Sequence, residues 1–548
     1  MKKPSTEGFL WLLMMAVTVF FVLGYIVYPM WKLLEVSAGA ENTKALLSNA
    51  NLISATLNSL LLSVLTVLGA GLIGIYFAYT MHYKTLRWKS VFSTLLLLPI
   101  AIPPMVGVMA FLFLVGENGL LMRGLSLQAF HFNGWPAILI IHVYSFYPLF
   151  YLFTGTALKS IDSSVLEAAQ GLGAGKTRTF FSVILPQLKP SLLAAALLVF
   201  MGSMASFSAP FIFGGSMRFL TTEIYYAKIN GDSSFSALLA VFLAGISLLM
   251  LYFFRLYRSR IPQSGKSKGT LRQNQVLAYK GTHPFRFFST LFFCVLILLP
   301  LISLCVMSLA PENTVMQQGL DVDFSFRNYV AVFSETDVLQ PFLNSLQASG
   351  AAVLLTLVFA LMIAQLTRGK RNTFTLWLET TASLPYGIPG TVIGIFLILG
   401  FNESTPFAFG QSLVGTFWIL PVAYAIRNLP ILVQAIQAGL HAVDVSIEEA
   451  SQTLGASKFS TWRKVTLPLI FPSLLEGCLL VFINSFGEFV ATVLLYGYST
   501  RTMPIEIYSQ IRMYNNGMAA TYGVILFLII LGIIYLTRVM GGRQWKRG

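Results

Sequence analysis

Apolar stretches of roughly twenty residues recur about twelve times along this chain, each long enough to cross the hydrocarbon core of a bilayer as a helix. They are expected near 9–31, 52–80, 91–115, 134–158, 190–213 and 235–257, then near 287–310, 341–366, 374–400, 411–433, 472–496 and 519–540. With 56% hydrophobic and only 10% charged residues, a water-soluble fold has too little polar surface to cover itself. The predicted fold class is an all-α polytopic membrane protein.

Charge placement gives the expected orientation. The chain carries a net charge of +15, which on a soluble protein would suggest nucleic acid. Here Arg255, Arg258, Arg260, Lys266, Lys268, Arg272, Lys280 and Arg286 crowd one connection without an acid. The connections Lys84–Lys89 and Arg368–Arg371 and the tail Arg538–Arg547 are basic too, whereas 311–340 holds Glu312, Asp321, Asp323, Glu335 and Asp337 against a lone Arg327. This alternation follows the positive-inside rule and predicts both termini in the cytoplasm, with lipid rather than nucleic acid as the partner of the basic groups. Lys2-Lys3 before an apolar run imitates a signal peptide, but the run from Phe9 to Trp31 is long for one and lacks a small-x-small cleavage site, so a retained first helix is expected.

The chain is internally duplicated. Glu167-Ala168-Ala169, Gly173 and Leu185-Pro186 are answered, 282 positions later in every case, by Glu449-Ala450-Ser451, Gly455 and Leu467-Pro468. The same offset pairs Pro148 with Pro430, Asp162 with Asp444 and Gly215 with Gly497; upstream an offset of 286 pairs Asn58-Ser59-Leu60 with Asn344-Ser345-Leu346, and Pro99 and Pro103 with Pro385 and Pro389. Two parallel six-helix repeats are predicted, facing each other about an axis along the membrane normal. The first module covers 1–257 with a loop at 159–189, and the second 286–548 with a loop at 440–471. The basic stretch 258–285 links them.

Each loop reads as a short rigid helix followed by a turn. Ser164-x-x-Glu167 and Ser446-x-x-Glu449 have the form of capping boxes, and Asp162 and Asp444 favour the helix starts. Gly173 and Gly455 are placed to end the helices in the left-handed conformation. Pro186 and Pro468 are expected to break the segment that follows, and Pro190 and Pro472 to open the returning membrane helix. Gly175-Lys176-Thr177 imitates the end of a phosphate-binding loop, but Gln170 stands where its first glycine belongs and no strand precedes it. No ATP site is expected in this chain.

Ionisable residues in spans cost about 2.5–3.5 kcal/mol at a helix centre on insertion scales and are functional candidates. Glu488 falls mid-span, opposite Ser206 of the first half, and defines a candidate pathway with Ser203, Ser206, Asn484 and Ser485; a structural acid bonded between helices is the alternative. Arg427, opposite Ser145, reads as a partner for a carboxylate or carbonyl, Asn58 and Asn344 as capping or interhelical donors, and Glu379 and Glu476 as interfacial. The prolines 99, 103, 104, 385 and 389 interrupt corresponding helices, a pointer to a substrate route. His82, His131, His142, His283 and His441 lack metal-ligand spacing, Tyr144, Tyr147 and Tyr151 read as packing residues, and Cys294, Cys305 and Cys478 form no CxxC pair. Neither a metal site nor a catalytic constellation is predicted.

The spacing Glu-Ala-Ala, three residues, Gly, nine residues, aliphatic, any residue, Leu-Pro resembles the cytoplasmic loop of ABC-importer permeases; in the second copy Ser451 replaces the last alanine and Val465 holds the aliphatic position. The whole chain is similar to a fused two-module permease of the binding-protein-dependent, type I importer class. Ser206-Phe207-Ser208-Ala209-Pro210, Gly214-Gly215, Thr221-Thr222-Glu223-Ile224-Tyr225 and the echo Glu506-Ile507-Tyr508 resemble the ferric-iron branch; thiamine, polyamine and phosphonate permeases share the architecture. The resemblance implies a bacterial inner-membrane complex with two ATP-binding subunits, which would hold the ATP and Mg²⁺, and an extracytoplasmic substrate-binding protein. Glu167, Ala168, Ala169, Gly173, Leu185 and Pro186, with their counterparts, would then dock the ATPases. An ion-coupled secondary transporter also has about twelve helices but needs no duplicated docking loop, and a membrane enzyme needs a reactive set that the chain lacks.

Overall fold

A computed structural model describes residues 6–38, 50–83, 86, 88–126, 132–260, 284–311, 315–316, 322–369 and 372–544. Among them no strand forms, apart from one isolated bridge between Thr405 and Gln411. Eleven helices are long and apolar enough to cross a membrane, and a strongly bent pair makes a twelfth span. Residues 261–283, most of the expected linker, lie outside the described residues.

Two expected spans are broken rather than continuous. In the first half a helix over Lys89–Leu97 gives way to a 3₁₀ turn and restarts at Pro104–Val115. In the second, Thr373–Gly387 and Gly390–Phe401 meet at 116°. Proline is the cause in both. A proline disfavours helical backbone in the residue before it, and Ile102 and Ile388 are accordingly extended, at φ −87°, ψ 120° and φ −100°, ψ 125°. Each break lies between the two halves of the molecule.

The halves exchange their first helices. Trp11–Ser37 packs on Ser233–Arg260 of its own half and reaches across to the second, where Tyr25 donates to the Phe407 carbonyl at 2.7 Å and stacks on Phe401. Gly24 and Gly400 allow this approach, because a Cβ at either would run into Phe407 or Pro29. Pro284–Ser308 makes the reciprocal crossing, with Ser303 donating to the Ala110 carbonyl at 2.9 Å and Phe293 packing on Phe77 and Tyr147.

Asn58 and Asn344 serve equivalent clasps. Asn58 donates to the Arg218 carbonyl and the Ser59 hydroxyl accepts the Leu220 amide. Asn344 donates to the carbonyls of Ser499 and Arg501, and Ser345 accepts the Met503 amide. Each clasped segment then carries an ion pair, Arg218–Glu223 or Arg501–Glu506, both at 3.2 Å.

Candidate functional site: paired docking loops and a cavity between the halves

The two loops have one geometry. Their helices, Ser163–Gly171 and Val445–Thr453, start at Asp162 and Asp444, whose side chains accept the amides of Ser164 and Ser446 at 3.0 Å. The expected Ser–Glu capping boxes do not form, because the aspartates, two residues upstream, supply the cap first. That amide bond holds the Asp444 carboxyl below its usual range.

Both helices end in a Schellman motif. Gly173 donates to the Gln170 carbonyl and Ala174 to that of Ala169; Gly455 and Ala456 donate likewise to Gln452 and Ser451. The glycine φ values, +79° and +89°, are left-handed as expected. Pro186 and Pro468 do not break the segment that follows. A π turn, Phe180–Ile184 or Trp462–Thr466, precedes each proline and carries the chain unbroken into the long returning helix. The wider turn removes the clash an α-helical proline makes with the carbonyl four residues back.

The loop residues divide into a buried root and an exposed crest. Glu167, Ala168, Glu449 and Ala450 are exposed, Ala169 and Ser451 half-buried; Leu185 and Leu467 are half-buried and Pro186 and Pro468 exposed. Leu172 and Leu454, immediately before the glycines, are each 89% exposed. They were not singled out from the sequence, although an apolar residue before the stop glycine in both copies was a readable signal. The roots differ: Leu166 is fully buried in the first, whereas Glu448, at the same position of the second, pairs with Arg368 at 2.8 Å and accepts from Thr466.

A cavity of about 370 Å³ opens between the halves at the two broken helices, lined by Pro103, Pro104, Pro389 and Gly390 among others. Glu488 and Asn484 lie on its wall, together with Arg427 and Asn428. Arg427 pairs with Glu488, and the second carboxylate oxygen accepts the Ala491 amide at 2.9 Å. Asn484 donates to Asn428, which donates in turn to Ser485 and to the Tyr424 carbonyl. Ser203 and Ser206 are not among the groups lining the cavity; both ring nitrogens of His142 are taken up by their hydroxyls, at 3.0 and 2.9 Å. The structure thus pairs Glu488 with Arg427, joins Asn484 and Ser485 through Asn428 on the neighbouring turns, and places the two first-half serines apart from both. Phe207 and Phe489, related by the 282 offset, meet across the halves with ring centroids 5.9 Å apart. Among the described residues no group of three or more His, Cys, Asp or Glu side chains is placed to hold a metal ion.

Comparison with known proteins matches the same two halves. A family described as "Binding-protein-dependent transport system inner membrane component" matches residues 70–262 and again 356–540. The ferric transport system permease protein FbpB of Actinobacillus pleuropneumoniae is 30% identical over 511 residues, 90% of this chain and 72% of that protein. The Fe(3+)-transport system permease protein FbpB 2 of Haemophilus influenzae is 28% identical, over 86% of this chain and 87% of that one. The probable ABC transporter permease protein y4fN of Sinorhizobium fredii is 25% identical, over 82% and 80%.

Proposed function

The chain belongs to the inner membrane components of binding-protein-dependent transport systems, and from that premise we infer that it is a two-module permease of an ATP-driven importer of ferric iron. The observation that carries the coupling is the pair of docking loops. Two crests with the same caps, the same Schellman turns and the same exposed leucine suit two copies of one soluble partner. An even number of spans in each half puts both crests on the face that carries the basic connections, the cytoplasmic one by the positive-inside rule. The termini belong to that face too.

Two ATP-binding subunits seated there and closing on ATP would press both crests together and rotate the halves about their axis. The cavity would then open to the outer face to receive solute from the binding protein, and inward after hydrolysis. Energy is delivered through the rigid docking helices, so no ATP or Mg²⁺ site is needed in this chain. The ferric assignment rests on the relatives named for ferric transport and their coverage of most of the chain.

The test is reconstitution of the tagged chain with the ATPase subunit that co-elutes with it and with its binding protein. Uptake of radiolabelled ferric iron is expected to require ATP and all three components. Thiamine uptake without iron uptake overturns the solute, and uptake driven by a proton gradient without the ATPase overturns the coupling.

A further inference from the structure

We propose that the cavity between the halves is an anion site read by Arg427, so that iron crosses it masked by oxygen-donor anions rather than as a bare trivalent cation; this rests on the ferric reading above. The duplication supplies an internal control. Ser145 stands at the first-half position of Arg427, and Ser206 at that of Glu488. The first half closes the equivalent crossing with neutral groups, His142 between Ser203 and Ser206. An ion pair is therefore not required to hold this crossing. Charges are costly in a membrane interior and mark function when retained there, so a pair that the frame can do without points to a ligand.

The two charges are presented unequally. The Glu488 side chain is 7% exposed and that of Arg427 35%. Both carboxylate oxygens are engaged, one by the guanidinium and one by the Ala491 amide. Arg427 uses only Nη1 in the pair, which leaves donors of its five-donor fork for the cavity. No other charged side chain lines the space among the described residues. Gly390 lets the guanidinium lie against the first turn of the helix Gly390–Phe401; a Cβ there would sit 2.9 Å from Nη1. The amide end of that helix adds positive partial charge to the same wall.

A bare cation entering this cavity meets a half-buried guanidinium with free donors and a carboxylate already satisfied. A carboxylate or phosphate oxyanion meets a planar fork suited to it. Iron that keeps such anions in its coordination sphere presents the surface this wall recognises, and it is held by hydrogen bonds weak enough to release it.

The full chain in lipid nanodiscs is dialysed to equilibrium against radiolabelled inorganic phosphate, citrate and ferric citrate, and against the neutral ferric tris-acetohydroxamate complex. The parent is expected to retain the anionic probes and to bind the neutral one roughly tenfold more weakly. Arg427→Gln should lower anion binding by roughly tenfold, Arg427→Lys should recover part of it, and Glu488→Gln should strengthen it by releasing the guanidinium. If Arg427→Gln misfolds around an unpaired Glu488, the double variant Arg427→Ser, Glu488→Ser repeats the first half's residues; it should fold and lose the anions. Absence of anion binding by the parent, unchanged binding in the double variant, or equal losses in Glu488→Gln and Arg427→Gln overturns the proposal. Iron uptake by the reconstituted complex is measured in parallel. Anion binding without iron uptake removes the ferric reading and leaves the anion site, while iron uptake without anion binding removes the site alone.

Discussion

Gly173 and Gly455 hold positive φ angles, and nothing lies within 4 Å of where a Cβ would project. Substitution there therefore acts through the backbone alone. Alanine is expected to cost each turn about 1–2 kcal/mol, and asparagine less, because it tolerates the left-handed region. Proline is the most damaging: it fixes a negative φ and removes the amide that bonds Gln170 or Gln452. The expected result is membrane insertion like the parent's with uptake falling in the order Asn, Ala, Pro, and ATP hydrolysis continuing without transport in the proline variants. ATP-driven uptake by the reconstituted complex checks this, and parental uptake in both proline variants removes the docking role. These glycines were legible in the sequence because one residue type answers one backbone demand. The caps were less so, since Asp162 and Ser164 are both good acceptors within one turn and only the folded geometry decides between them. The Arg427–Glu488 pair was half legible: the offset set each against a serine, but their meeting across 61 positions is a tertiary fact.

Among the helical elements the two loop helices, Ser163–Gly171 and Val445–Thr453, have the same shape and different anchors. The first is held by Leu166 in an apolar cluster with Ile161, Ile184 and Leu188; the second is held by the half-buried Arg368–Glu448 pair. Arg368 caps the helix Thr336–Thr367, just before the bent pair that borders the cavity. The second helix is thus tied to the end of the span Thr336–Thr367 by a charge-assisted bond, worth about 1.5–3 kcal/mol. Arg368→Ala should speed amide exchange over 445–453 by roughly tenfold or more and leave 163–171 at its parental rate. Equal acceleration in both helices, or none, shows that the pair does not anchor the loop. At this scale the sequence yielded the number of spans and the proline interruptions. It did not yield the π turns, because a proline reads as a breaker until the preceding turn is seen to widen around it.

In the molecule as a whole, the exchanged first helices make each half part of the other's fold. Composition could not reveal this, since Trp11–Ser37 is apolar whichever half it packs on. Beside the last helix of its own half it packs on Phe359, Phe401 and Phe407 of the second, and Pro284–Ser308, beside Asn516–Gln544, packs on Phe77, Ala110 and Tyr147 of the first. Neither half alone can satisfy both its own core and its first helix. In lipid, where apolar side chains gain little by leaving the solvent, such packing and its hydrogen bonds hold helices together. Cutting the chain between residues 270 and 271 should therefore leave two fragments that assemble when co-expressed, co-purify at one to one and support uptake. Expressed singly, each should be degraded or aggregate, with its first helix open to crosslinking by lipid-phase probes. The outcome against this view is a second fragment that is monomeric and protease-resistant in detergent without its partner. That result would mean the first helices cross over only as a consequence of the covalent linker, and that the halves are independent modules rather than one interlocked frame around the cavity.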